Sequence, residues 1–160
     1  MNNRELFAVA NYILDNGTNI TNLKFQKLLF FFFGVHSCIY SNFPFEDDIE
    51  AWQHGPVNPT TYKELRDNGS NVIMNRLNIS MEENECDFPT LDNKTLIQSA
   101  KITLAYYDRF SAGELVKKSH ELDCWKTKYY GEKPKSTMNQ DEIKTEFYKK
   151  IMPDIVEYIK

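Results

Sequence analysis

The sequence predicts a mainly α-helical fold, a compact helical domain around one central apolar helix, with a small two-stranded β element. Three observations carry this expectation. Apolar residues recur at helical spacings of three and four along most of the chain. Residues 28–33 are continuously apolar inside a longer helical pattern, and a helix that is apolar all round needs neighbours on several sides. Residues 49–54 alternate with the period of two that marks a half-buried strand. A length of 160 residues fits one domain, residues 1–160.

Taken in order, residues 4–14 read as a helix, with Leu6, Val9, Ala10 and Ile13 on one face and Asn16-Gly17 ending it. A second helix starts at a cap on Thr21 or Asn22 and runs to about Tyr40. Its four consecutive phenylalanines, residues 30–33, make it the expected hub; the sequence leaves open whether they are all buried or form an interface. Pro44 marks a loop. After the strand at 49–54, Gly55-Pro56-Val57-Asn58-Pro59 is stiff and non-helical, because proline fixes its own φ and keeps the preceding residue extended. Asn58 then caps a helix with Pro59 at its first position, running to about Arg66. Residues 67–70 form a turn, residues 72–79 a second strand, and residues 81–87 an exposed acidic loop. A helix covers residues 92–109. Ser111 and Glu114 have the spacing of a capping box opening the next one, to about Glu121. The lysine-rich stretch 117–135 reads as a solvated helix end and loop. The last helix begins near Asn139 or Gln140 and is kinked by Pro153.

Composition narrows the function classes. Eleven Phe, nine Tyr and two Trp supply one core or a contact surface. The net charge of -4 and pI near 5.4 argue against a dedicated nucleic-acid binder, and no predicted helix clusters outward basic and amide side chains for base readout. Cys38, Cys86 and Cys124 are odd in number and widely spaced, which favours a reducing compartment, and the start Met1-Asn2-Asn3-Arg4-Glu5 lacks the form of a signal peptide. The expected setting is the cytoplasm, with no membrane span. His120 with Cys124 and His36 with Cys38 lack the spacing of a metal site, and Glu46, Asp47, Asp48 and Glu50 read as a solvated acidic turn. No Gly-x-Ser-x-Gly, reactive cysteine context or glycine-rich phosphate loop is present. The expectation is a binding protein without cofactor, metal or catalytic residue.

The informative segment is Glu50-Ala51-Trp52-Gln53-His54-Gly55-Pro56-Val57-Asn58-Pro59. Its prolines and glycine fix a corner that loses little entropy on binding, and Trp52, His54 and Tyr62 have the aromatic bodies and polar tips that suit protein interfaces.

Ile20-Thr21-Asn22-Leu23-Lys24-Phe25-Gln26-Lys27-Leu28-Leu29-Phe30-Phe31 followed by Gly34-Val35-His36 resembles the opening signature of the SocA-like or Panacea domain family, also called phage-associated GepA-like proteins. Ala51-Trp52 followed by Gly55-Pro56-Val57 is similar to the second signature. Ser111-Ala112-Gly113-Glu114-Leu115 with Ser119-His120 and Trp125-Lys126 is similar to the third. The resemblance spans roughly residues 4–130; Phe25, Phe33 and Val35 depart from the usual pattern. It implies an antitoxin that binds and neutralises a cognate protein toxin, encoded by a neighbouring gene. The other reading is an adaptor that inhibits a host protein or delivers a client to a protease. The expected partner-binding residues are Lys24, Lys27, Phe31, His36, Trp52, His54, Gly55, Pro56, Val57 and Tyr62, arranged around a groove between the second helix and the corner.

Overall fold

A computed structural model of the chain describes residues 3–80 and 82–160; Met1 and Asn2, and Met81 of the expected acidic loop, lie outside the described residues. Helix α1 (Arg4–Asn16) buries Leu6, Val9, Ala10 and Ile13, the stripe its periodicity announces. Helix α2 (Asn22–Tyr40) is capped by Thr21, whose side chain accepts from the Lys24 N–H at 3.2 Å. It is buried continuously from Lys24 to Ser37, and the four phenylalanines are each at most 1% exposed. They are core, packed against rings from several other elements. Phe31 stacks on Tyr107 at 4.0 Å, Phe30 meets Phe147 edge-on at 5.4 Å, and Phe33 lies flat against Phe43 at 5.6 Å. Gly34 admits the Phe147 ring, which would come within 2.2 Å of any Cβ there.

Strand β1 (Glu50–Trp52) pairs antiparallel with β2 (Gly55–Val57), Trp52 standing opposite Gly55, and on its other side with β3 (Ser136–Thr137). The β element therefore has three strands, in the order β2-β1-β3, where two were expected. The proline-rich corner supplies β2, and the expected loop before the last helix supplies β3. The expected strand at 72–79 is corrected. No strand lies there among the described residues, because its backbone is held by other groups. Ile73 N–H donates to the Ile20 carbonyl, Leu77 N–H to Asn11 Oδ1 at 2.6 Å, and Ile79 N–H to the Asp87 carbonyl. Asn11, fully buried in α1, also donates to the carbonyls of Leu77 and Pro89. A side chain takes the place of a neighbouring strand.

Helix α3 (Pro59–Leu65) follows its Asn58 cap, then one 3-10 turn, Arg66–Asn68. Helix α4 (Lys94–Tyr107) packs along α2, and α5 (Ala112–His120) opens with both halves of the capping box in place. Helix α6 (Asp123–Tyr129) falls in the stretch expected to be a helix end and loop. Its cap comes from far along the chain. Glu146, at the end of α7 (Gln140–Glu146), accepts the Asp123 and Cys124 N–H groups at 2.7 Å each and is paired with Lys150 at 2.7 Å. Burial raises the Glu146 pKa, but Lys150 and the two amides outweigh it and hold the carboxyl below its usual range. After α7 the chain widens into a π-helical turn, Phe147–Ile151, before α8 (Met152–Ile159). The sequence places a kink at Pro153, and the observed feature is this π turn just before it. The ring has no N–H for the carbonyl four residues back and would collide with it, and the wider turn relieves both.

Glu146→Ala leaves the Asp123 and Cys124 amides, the second of them buried, without an acceptor. The expected loss is roughly 2–3 kcal/mol in urea unfolding, with the near-ultraviolet signal of Trp125 on α6 reporting the damage.

Candidate functional site

The first turns of α2 carry polar side chains that are buried pegs. Lys24 Nζ donates to the carbonyls of Thr18 and Asp108 at 2.9 and 2.8 Å and lies 3.1 Å from Asp108 Oδ1, which ties α2 to the end of α4. Gln26 accepts the Asn58 N–H at 2.9 Å and donates to Asn22 Oδ1 and Thr61 Oγ1, both at 3.2 Å. Lys27 Nζ donates to the Pro56 carbonyl at 3.0 Å. Two consecutive side chains of the hub helix thus hold the hairpin corner.

Lys27 is fully buried and pairs with no carboxylate among the described residues. Burial brings its pKa down from 10.5 to about 7. The corner can lie so close because residue 55 has no side chain. A Cβ there would stand 2.6 Å from Lys27 Cε and 2.5 Å from Ser119 Oγ, and the φ of +106° also favours glycine.

The far side of the hairpin is clamped by α5 and α6. Trp125 Nε1–H donates to the Trp52 carbonyl at 2.9 Å. His120 Nε2 lies 3.0 Å from the Gln53 carbonyl and stacks its ring on Trp125 at 4.1 Å. Burial lowers the His120 pKa, as expected for an imidazole that serves here as packing and donor.

Over this scaffold opens a cleft of about 900 Å³. Leu23, Gln26 and Lys27 of α2 form its floor, and Trp52, His54 and Val57 of the hairpin one wall. Tyr62, Arg66, Tyr129 and Lys135 complete the lining around its rim. Trp52 is fixed on three sides. Its Nε1–H donates to Glu50 at 2.8 Å, the Tyr62 ring abuts it at 4.8 Å, and Lys135 Nζ lies 4.4 Å over its face.

Of the residues singled out from sequence, Lys27, Trp52, His54, Val57 and Tyr62 come together in the cleft, and Gly55 and Pro56 form the backbone beneath it. Three do not reach it. Lys24 is the peg described above. Phe31 is buried against Tyr107, one turn deeper along the hub. His36 lies about two and a half turns beyond Lys27, on the opposite side of α2, buried between Ser99 at 2.8 Å and Asn42 at 2.9 Å, where burial lowers its pKa. Sequence reasoning passed over Leu23, Gln26, Arg66, Tyr129 and Lys135. Leu23, Gln26 and Lys27 share one face by the three- and four-residue rule, a signal present in the sequence. Tyr129 and Lys135 depend on α6 and β3, and no local pattern announces them.

The arrangement offers apolar, aromatic and cationic contacts. Burial pushes the Cys38 thiol up to about 11 and Cys124 still higher, so neither is a ready thiolate. No group of three or more His, Cys, Asp or Glu among the described residues is placed to hold a metal, and no described helix is long and apolar enough to cross a membrane.

Residues 25–126 match the family described as "Antitoxin SocA-like, Panacea domain". The matched span runs from the first turn of α2 into α6, so it contains Gln26 and Lys27 of the floor and the hairpin wall of the cleft but not Leu23, Tyr129 or Lys135. Antitoxin SocA of Caulobacter vibrioides (strain NA1000 / CB15N) is 38% identical over 73 residues, 43% of this chain and 39% of that relative. The similarity thus spans about two fifths of the relative's length. No solved structure matches.

Lys27 makes stability depend on pH. Its folded pKa lies below the unfolded value, so the unfolded chain binds more protons between about 7 and 10.5, and stability rises with pH across that window. Urea unfolding of the wild type is expected to gain about 2 kcal/mol from this group between pH 7 and pH 9. In Lys27→Met that contribution is absent; equal pH slopes for the two proteins would contradict the assignment.

Proposed function

The chain belongs to the SocA-like antitoxin, Panacea domain family, and from that premise we propose that it neutralises a cognate protein toxin by direct contact, with the cleft over Lys27 as the gripping surface. The observation that carries this reading is the rigid, half-apolar cleft itself. Its hairpin wall is pegged from below by Gln26 and Lys27 and clamped from behind by His120 and Trp125. A surface ordered before binding loses little entropy when a partner arrives, and half-buried Trp and Tyr side chains are the residue types that dominate binding energy. The action is stoichiometric: affinity blocks the toxin, without turnover. The toxin is expected to come from a neighbouring gene, and the site of action is the cytoplasm.

The test pairs the purified chain with the toxin encoded beside it. The wild type is expected to form a stable complex and restore growth to cells expressing the toxin. Trp52→Ala and Tyr62→Ala should each weaken binding by roughly one to two orders of magnitude while the helical circular dichroism is retained. Failure of the wild type to bind, or full affinity in both variants, refutes the proposal. Loss of toxin only in the presence of a protease would favour the adaptor mechanism.

A further inference from the structure

The cleft differs from the rest of the surface in charge. The chain carries 23 acidic against 19 basic residues. Yet the exposed charged residues lining the cleft are Arg66 and Lys135, with no Asp or Glu. Four other surface clefts all carry carboxylates: Glu142 and Glu146 in one, Asp48, Asp108 or Asp154 in the others. Among the described residues, neither Arg66 nor Lys135 makes an ion pair, and Lys135 has only the face of Trp52 beside its ammonium. An acidic protein that keeps its own carboxylates out of one cleft and leaves its cations there uncompensated presents a seat for a negative charge.

Lys135 is held at this seat against its backbone preference. Its φ is +67°, uncommon for a side chain with a Cβ, and its N–H donates to the Ala51 carbonyl at 2.7 Å. That conformation carries its ammonium over Trp52. The anion must also suit an apolar surround, since Leu23, Val57, Tyr62 and Tyr129 share the lining. Nucleic acid fits less well. The lining carries two exposed permanent cations on a chain of net charge -4, too little to follow a phosphate backbone.

Resting on the proposed antitoxin role, we infer that the cleft takes an acidic peptide segment of the toxin, with Asp or Glu carboxylates paired to Arg66 or Lys135 and apolar neighbours against Trp52 and Tyr62. Lys135 and Tyr129 lie beyond the family-matched residues, so this rim belongs to what sets this chain's own partner choice.

The test uses the full chain, the toxin from the neighbouring gene, and short overlapping capped peptides that tile the toxin. Calorimetry at low and high salt is expected to show wild-type binding that weakens with salt. The double variant R66E/K135E should lose at least about tenfold in affinity, with the salt dependence flattened or reversed. A single Asp→Lys or Glu→Lys change in the toxin should restore binding to that variant, and the tiling peptide that binds should contain the same acid and weaken when it becomes the amide. Because R66E/K135E could disturb the rim, R66Q/K135Q is run beside it and should fall between wild type and reversal. If wild type binds toxin but reversal changes affinity less than about twofold, or no acidic position in the toxin compensates, this inference fails and the antitoxin reading stands. If wild type does not bind toxin, both fail. Binding of a single-stranded oligonucleotide that competes with the toxin for the cleft also overturns it.

Discussion

A fully buried lysine hydrogen-bonded to a proline carbonyl fixes the spacing between the hub helix and the hairpin corner, and the cleft follows from that contact. Burying an ammonium against a neutral acceptor opposes folding, and the lowered Lys27 pKa records the opposition. What holds the arrangement is its surround. Gln26 one residue earlier receives the Asn58 amide, Gly55 leaves room for the lysine stem, and the indole of Trp125 grips the other side of the hairpin. The hydrogen bonds here come from polar side chains, although α2 is otherwise immersed in phenylalanine rings. The aromatic part of the helix supplies cohesion, and its polar first turns supply geometry.

The parts of the fold legible in the sequence are those decided locally. The caps at Thr21, Asn58 and Ser111, the stripe on α1 and the apolar run in α2 each depend on residues within one or two turns, so pattern reasoning reaches them. The parts that were not legible are decided at a distance. Helix α6 is capped by Glu146, more than twenty positions downstream. The extended run before the acidic loop is held by Asn11 of α1, not by a strand, although its β-branched residues suit one. The same division governs the cleft. The signature around Trp52 and the lysine at its floor stand out in the sequence, whereas Tyr129 and Lys135 enter only because α6 and β3 fold against the hairpin. His36 shows the opposite error: a polar residue in a signature is as readily a buried hydrogen-bonding joint as a contact for a partner.

Floor and rim of the cleft also differ in what fixes them. Gln26 and Lys27 of the floor are buried and wired to a backbone amide and a backbone carbonyl, so exchanges there disturb folding. Arg66, His54 and Lys135 at the rim are exposed, and their side chains carry no part of the core. Exchanges at such positions alter stability by only about half a kcal/mol either way. If the cleft grips the toxin as proposed, recognition and folding are written in separable alphabets. A chain of this build would then exchange one antagonist for another through a few solvent-facing letters, keeping intact the grammar that lets it fold.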